Sequence, residues 1–193
     1  MSELYTIGWI FVTLLFIAFF AGYEIAFVSG NRLNIELRKK QGKRSGIIIA
    51  GFLEHPARFI GTCLIGLNFF LVIYGLLVDA LLKKTLWNPF HIENEYLKLF
   101  AATLFSTFIV LVLGEFIPKA IFRGKNDTLL HFFAPLANFF HTLFQPLARF
   151  FVNVSQWILK YLFNVRVDEK SEAFSKVDLE HFFQQTRNQD EEN

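Results

Sequence analysis

Long apolar stretches alternate with short polar ones along the chain. Apolar residues run almost unbroken over about 4–29, 57–82 and 97–122. As α-helix each stretch reaches about 39 Å, enough to cross a hydrocarbon core of about 30 Å with some tilt. The first carries a single charge, Glu24. It is followed by "NRLNIELRKKQGKRSG", with Arg32, Arg38, Lys39, Lys40, Lys43 and Arg44 against Glu36 alone. A basic flank of this kind marks the cytoplasmic side of a membrane. "IIIAGFLEHP" is too short to span, which predicts an interfacial helix at about 46–55 on the same side. The second apolar stretch leads into "KKTLWNPFHIENEY", where Lys83 and Lys84 mix with Glu93 and Glu95 and with the interfacial aromatics Trp87 and Tyr96. The third ends at "KAIFRGK", basic again. This pattern predicts three spans, the N-terminus outside and both basic segments in the cytoplasm.

Residues 127–163 are apolar enough for a fourth span, but Pro135 and Pro146 interrupt them, and His131, His141 and Arg149 stand among the phenylalanines. Each proline disfavours the helical region for the residue before it. The stretch is therefore predicted to lie as broken interfacial helices on the cytoplasmic side. Residues 167–193 hold eight acidic and three basic side chains, and "SKVDLEHFF" suits a short amphipathic helix. Residues 164–193 are expected to begin a cytoplasmic acidic segment that stops short. The predicted fold class is an all-α membrane protein, with a transmembrane domain over 1–163, three transmembrane helices and cytoplasmic-side juxtamembrane helices.

Composition agrees with that reading. Hydrophobic residues make up 53% of the chain and charged residues 19%, below the roughly 25% of a soluble domain. The net charge of +2 does not point to nucleic acid, since the cations gather in short membrane-flanking segments. Cys63 is the single cysteine, so there is no disulfide framework. The N-terminus has neither a basic n-region nor a cleavage site after its apolar run, so no cleaved signal peptide is expected. There is no Gly-rich phosphate loop, Ser/His/Asp set or paired thiol, and no enzyme is expected.

Candidate chemistry lies where polar groups enter the apolar runs. In "LVLGEFIPKAIFR" an α-helical ladder would bond the amide of residue 118 to the Gly114 carbonyl, but Pro118 has no amide hydrogen. A freed carbonyl beside the Glu115 carboxylate makes an oxygen-only corner of the kind that Mg²⁺, Ca²⁺ or Na⁺ favours. Equally, Glu115 pairs with Lys119 four residues on, and Pro118 is then an ordinary kink. In the second span Gly61, Asn68, Gly75 and Asp79 share a face, where Asn68 serves either as an interhelical hydrogen bond or as a neutral ligand. Thr103, Thr107, Val110 and Gly114 share a face of the third. Ala18, Gly22 and Ala26 form a small-residue stripe on the first, suited to close helix contact. Glu24 lies off that stripe toward the cytoplasmic end, in reach of Arg or Lys. His131, His141 and His181 show no ligand spacing and are expected at the interface or surface.

Three segments resemble the transmembrane domain of the CorC/cyclin-M (CNNM) family. "FFAGYEIAFVSGNRL" resembles its first-span Phe-Phe-Ser-Ala-Ser-Glu-Thr-Ala stretch, "GTCLIGLNFFLV" its second-span Gly-Asn-Asn-like stretch, and "GEFIPKAI" its Gly-Glu-x-x-Pro-Lys signature. The resemblance implies a homodimeric domain of the bacterial inner membrane, associated with Na⁺-coupled Mg²⁺ efflux and followed in longer members by nucleotide-binding CBS and CorC domains. It makes Glu115, the Gly114 carbonyl and Asn68 the expected cation ligands, and Glu24, also toward the cytoplasmic end of its span, is a further candidate metal ligand. The chain departs from the family at Ala21 and Tyr23, where small hydroxyls are expected, and at Leu67, in place of the first paired Asn. Losing hydroxyl ligands weakens a site for Mg²⁺, which demands near-ideal octahedral geometry. The Phe-rich style also resembles a gliding-motility-associated bacterial branch. The rival expectation is accordingly a membrane scaffold that keeps the fold, with a degenerate site and a membrane or periplasmic protein partner.

Overall fold

The computed structural model describes residues 3–83, 85 and 94–162, and among them every regular element is helical. The order is α1 (Glu3–Val28), α2 (Arg32–Lys40), α3 (Arg44–Glu54), α4 (Pro56–Leu82) and α5 (Glu95–Ile109). A π-helical segment (Val110–Phe116) follows, then α6 (Ile117–Gly124), α7 (Asn126–Phe132) and α8 (Ala134–Leu162). Three helices are long and apolar enough to cross a membrane: Glu3–Val28, Pro56–Leu82 and the continuous Tyr96–Gly124. Their outward faces carry exposed large apolar side chains, among them Phe11, Leu15, Val72, Leu76, Leu104 and Phe108. In water such a surface would be a liability, whereas against lipid tails it is the expected state.

Local chemistry sets the element boundaries. Asn31 caps α2 by accepting from the Leu33 and Asn34 amides, and Asn94 caps α5 through the Tyr96 and Leu97 amides. The basic flank, legible in sequence only as charge, is thus itself a helix. It ends in a Schellman turn: the Gly42 amide donates to the Lys39 carbonyl and the Lys43 amide to Arg38, with Gly42 at φ 71°. Gly46 of α3 then packs directly on the Arg38–Lys39 backbone, where a Cβ would meet it at 2.7 Å.

Residues 127–163 differ from the sequence expectation in one respect. The chain breaks at Phe133, just before Pro135, but not at Pro146, which lies inside α8. One lost hydrogen bond near the middle of a 29-residue helix is outweighed by packing on either side of it. Ala137, Phe140 and Ala148 are buried, and the Ala148 methyl lies opposite Gly61 of α4.

Phenylalanine supplies most of one of the two cores. Toward the α2/α3 end, Phe19, Phe20, Phe27, Phe52, Phe59, Phe122 and Phe140 pack around Tyr23. Phe52 and Phe59 stack with ring centroids 4.2 Å apart, Phe16 and Phe70 at 4.4 Å. At the other end the core is aliphatic around Ile17, Tyr74, Val78, Leu82 and Val110. Close approach of α1 to its neighbours depends on glycine at Gly22, against Phe122 of α6, and at Gly66 of α4, against Phe20. The Gly22 stripe therefore faces a neighbouring span of the same chain.

Candidate functional site

The π segment changes the bonding assumed from sequence. The Ile117 amide donates to the Val112 carbonyl, five residues back. Continued in that register, the next donor would be the amide of residue 118 to the Leu113 carbonyl, and proline has none. The wide turn thus delivers the chain to Pro118 with the missing donor displaced from Gly114 toward Leu113. Gly114 is buried, and a Cβ there would stand 3.0 Å from methyls of Ile17 and Val110. Its immediate use is to let the third span approach α1.

Glu115 emerges from the π segment half-buried, and its Oε2 accepts from the Lys119 ammonium at 3.0 Å. Glu24 of α1 lies close enough to interact electrostatically with both. Two carboxylates and one ammonium are thereby gathered where α1 meets the third span. Glu115 also lines a cavity of about 270 Å³ between α4 and the third span, with Leu71, Tyr74, Gly75, Ser106, Thr107, Val110 and Leu111. The buried Tyr74 hydroxyl donates to the Ser106 carbonyl at 3.1 Å and ties the two walls together. Two sequence stripes meet here, Gly75 from the second span facing Thr107 and Val110 from the third. Ser106, Tyr74 and Leu71 escaped the sequence reading. Their only signal was helical adjacency to those stripes.

The other members of the Gly75 stripe part company. Gly61 faces Ala148 of α8, and Asp79 pairs with Lys83 at 2.7 Å. Asn68 is exposed, and its amide donates at 2.8 Å to the Leu64 carbonyl of its own helix rather than to a neighbouring span. It follows Leu71 and Gly75 down the same face of α4 but does not line the cavity. Among the described residues no three His, Cys, Asp or Glu side chains form a group that could hold a metal ion. A cation at Glu115 would therefore complete its shell from neutral oxygens, and Ser106 and Thr107 are the hydroxyl-bearing residues of the same cavity besides Tyr74.

On α1, Ala21 is fully buried and Tyr23 is spoken for: its hydroxyl donates at 3.0 Å to the Leu130 carbonyl in the last turn of α7. Carbonyls there lack intrahelical donors, so the phenol satisfies an end-of-helix group while joining α1 to α7.

A second polar cluster holds α2, α3 and α7 together. Asp127 accepts from Asn34 at 2.6 Å and from Arg38 at 2.8 Å, and its other neighbour is His131 Nε2 at 3.5 Å. His131 Nδ1 meets Ser45 Oγ at 3.2 Å. His131 is buried, where the sequence predicts an interfacial or surface position. Burial pushes its pKa down, the Arg38 and Lys43 charges act in the same sense, and Asp127 opposes them. His141, on α8, meets the Thr62 hydroxyl at 3.1 Å and is likewise lowered by burial, then by Arg149. His181 lies outside the described residues.

The family model described as the cyclin M transmembrane N-terminal domain matches residues 8–193. The chain is also similar to the UPF0053 protein YrkA of Bacillus subtilis (strain 168), at 27% identity over 148 residues. That match covers 72% of this chain and 34% of the relative, so the chain spans about a third of the length of the curated protein it matches.

Proposed function

Because the chain belongs to the cyclin M transmembrane domain family, which is associated with membrane metal-ion transport, we propose that it carries a divalent cation, Mg²⁺, coupled to Na⁺. In this reading Glu115 is the acidic ligand at the end of the cavity between α4 and the third span. Ser106 and Thr107 offer neutral oxygens, Glu24 adds a second negative charge nearby, and Asn68 and the Gly114 backbone join when the spans rearrange. The observation that carries the reading is the placement of a half-buried carboxylate on a cavity that Ser106 and Thr107 also line, between two bilayer-length helices. An ionisable group at such depth is costly and marks a pathway or a site. The basic flanks favour the N-terminus outside and α2, α3, α7 and α8 on the cytoplasmic face of a bacterial inner membrane, with the chain acting as a homodimer.

A scaffold that has kept the fold without transport is the second reading, and a specific observation favours it. The first span lacks the small hydroxyls expected beside Glu24, because Ala21 has none and the bulkier Tyr23 turns its hydroxyl to Leu130. In that case the protein serves as the membrane partner of another protein, as in gliding machinery. Titrating the purified protein with Mg²⁺ and Na⁺ while following thermal unfolding separates the two, since a ligand of the native state must raise stability by mass action. Stabilisation by Mg²⁺ that disappears in Glu115→Gln is the result expected of the transporter. No stabilisation in either protein favours the scaffold.

A further inference from the structure

The Lys119 ammonium sits 3.0 Å from the Glu115 carboxylate, and Glu24 of α1 is near enough to feel both charges. The Lys119 side chain is 42% exposed, so the ammonium is open to solvent on part of its surface. We propose that Lys119 is a tethered counter-ion that occupies the cation's place at Glu115 in the resting site and is displaced when the divalent ion binds, so that this lysine sets the site's affinity and charge selectivity. This rests on the reading of Glu115 as a cation ligand.

The charge arithmetic supports it. With Lys119 in place, Glu24, Glu115 and the ammonium carry one net negative charge. With it swung away the two carboxylates present two, the match for a divalent ion. A cation-free site with both carboxylates bare in an apolar span would be costly, and a lysine one turn away removes that cost without a soluble ion. The same lysine must then be expelled for the metal to bind, so affinity is held down and release is assisted as the ammonium returns. Spacing supports the role, because Glu at i and Lys at i+4 face each other on a helix. Lysine, unlike arginine, engages as a compact point charge on a flexible stem rather than through a fixed fork.

Two measurements test the proposal. The first is calorimetric Mg²⁺ binding to the full chain as wild type, Glu115→Gln, Lys119→Gln and Lys119→Arg. The expected pattern is loss of binding in Glu115→Gln, binding tightened about tenfold in Lys119→Gln by removal of the competing charge, and near-wild-type affinity in Lys119→Arg. No Mg²⁺ binding to wild type, or binding that survives Glu115→Gln, sinks the underlying site. Binding that needs Glu115 but is unchanged or weaker in Lys119→Gln sinks only the lysine proposal. The second measurement needs no variant. A carbodiimide joins a carboxylate and an amine in contact as an amide, so the cation-free wild type should yield a Glu115–Lys119 cross-link by mass spectrometry. Mg²⁺ should suppress that cross-link with the same midpoint as the calorimetric binding. A cross-link undiminished at Mg²⁺ concentrations that saturate the calorimetric site overturns the displacement.

Discussion

The Phe122 ring lies against Gly22, so close that a Cβ built on the glycine would meet its Cγ at 2.7 Å. This contact fixes how near α6 comes to α1, and with it how near Lys119 and Glu115 come to Glu24. Gly22→Leu should overpack the junction and lower stability by about 1–3 kcal/mol, read as a lower melting temperature in detergent. Phe122→Ala in the same chain should recover part of the loss, since it vacates the space the leucine needs. A melting temperature unchanged by Gly22→Leu would contradict the packing described.

Tyr23→Phe removes one hydroxyl and leaves the Leu130 carbonyl without that donor in a buried position. The expected loss is about 1–3 kcal/mol, measurable by thermal unfolding. Mg²⁺ affinity should be untouched if Tyr23 is purely a brace between α1 and α7. A change in affinity without a change in stability would instead make the phenol part of the cation path.

His131 gives the stability a pH dependence. Its folded pKa lies below the ordinary histidine value, chiefly through burial. The unfolded chain therefore takes up the proton first as pH falls. The stability due to the neutral imidazole is complete above about pH 6.5 and is lost progressively below it, toward the folded value. His141 acts in the same sense. His131→Gln should flatten the fall in melting temperature between about pH 7.5 and 5.5 but not abolish it, with the remainder removed by His141→Gln as well. An identical slope in wild type and the double variant would exclude both groups as its source.

Topology is open to direct labelling. In a Cys63→Ala background, Gln41→Cys should react with a membrane-impermeant maleimide only from the cytoplasmic side, and Ile92→Cys only from outside. Reaction of both from one side would overturn the three-span orientation.

Spans were legible because apolar length is a signal written in one dimension, and the starts at Glu3 and Pro56 fall within a residue or so of those expected. Contacts between spans were not. The stripe of Ala18, Gly22 and Ala26 announced close packing, yet nothing in it could choose α6 of the same chain over a second copy. Gly66 carries as close a contact, against Phe20, but stands in no small-residue stripe and gave no signal. Tyr23 stood out only by what it replaced, and its partner Leu130 is 107 residues away. Glu115 and Lys119 could be paired on paper by their spacing, while the convergence of Glu24 on them needed the packing of α1. Pro146 misled because the sequence displays the missing amide but not the contacts around Ala148 that outweigh it.

The π segment at Val110–Phe116 has a geometric consequence of its own. Each residue of an α-helix advances the azimuth by about 100°, so a turn that absorbs one extra residue swings everything beyond it by that angle. Glu115 and Lys119 hold their present bearing toward α1 only because this surplus precedes them. Were the same residues to revert to an unbroken α ladder, the lower third of the span would turn by that angle, carrying the carboxylate away from Glu24 while altering no side chain of the site. The wide turn is in this sense the bearing mark of the helix, and the aim of its charged face is stored in the backbone.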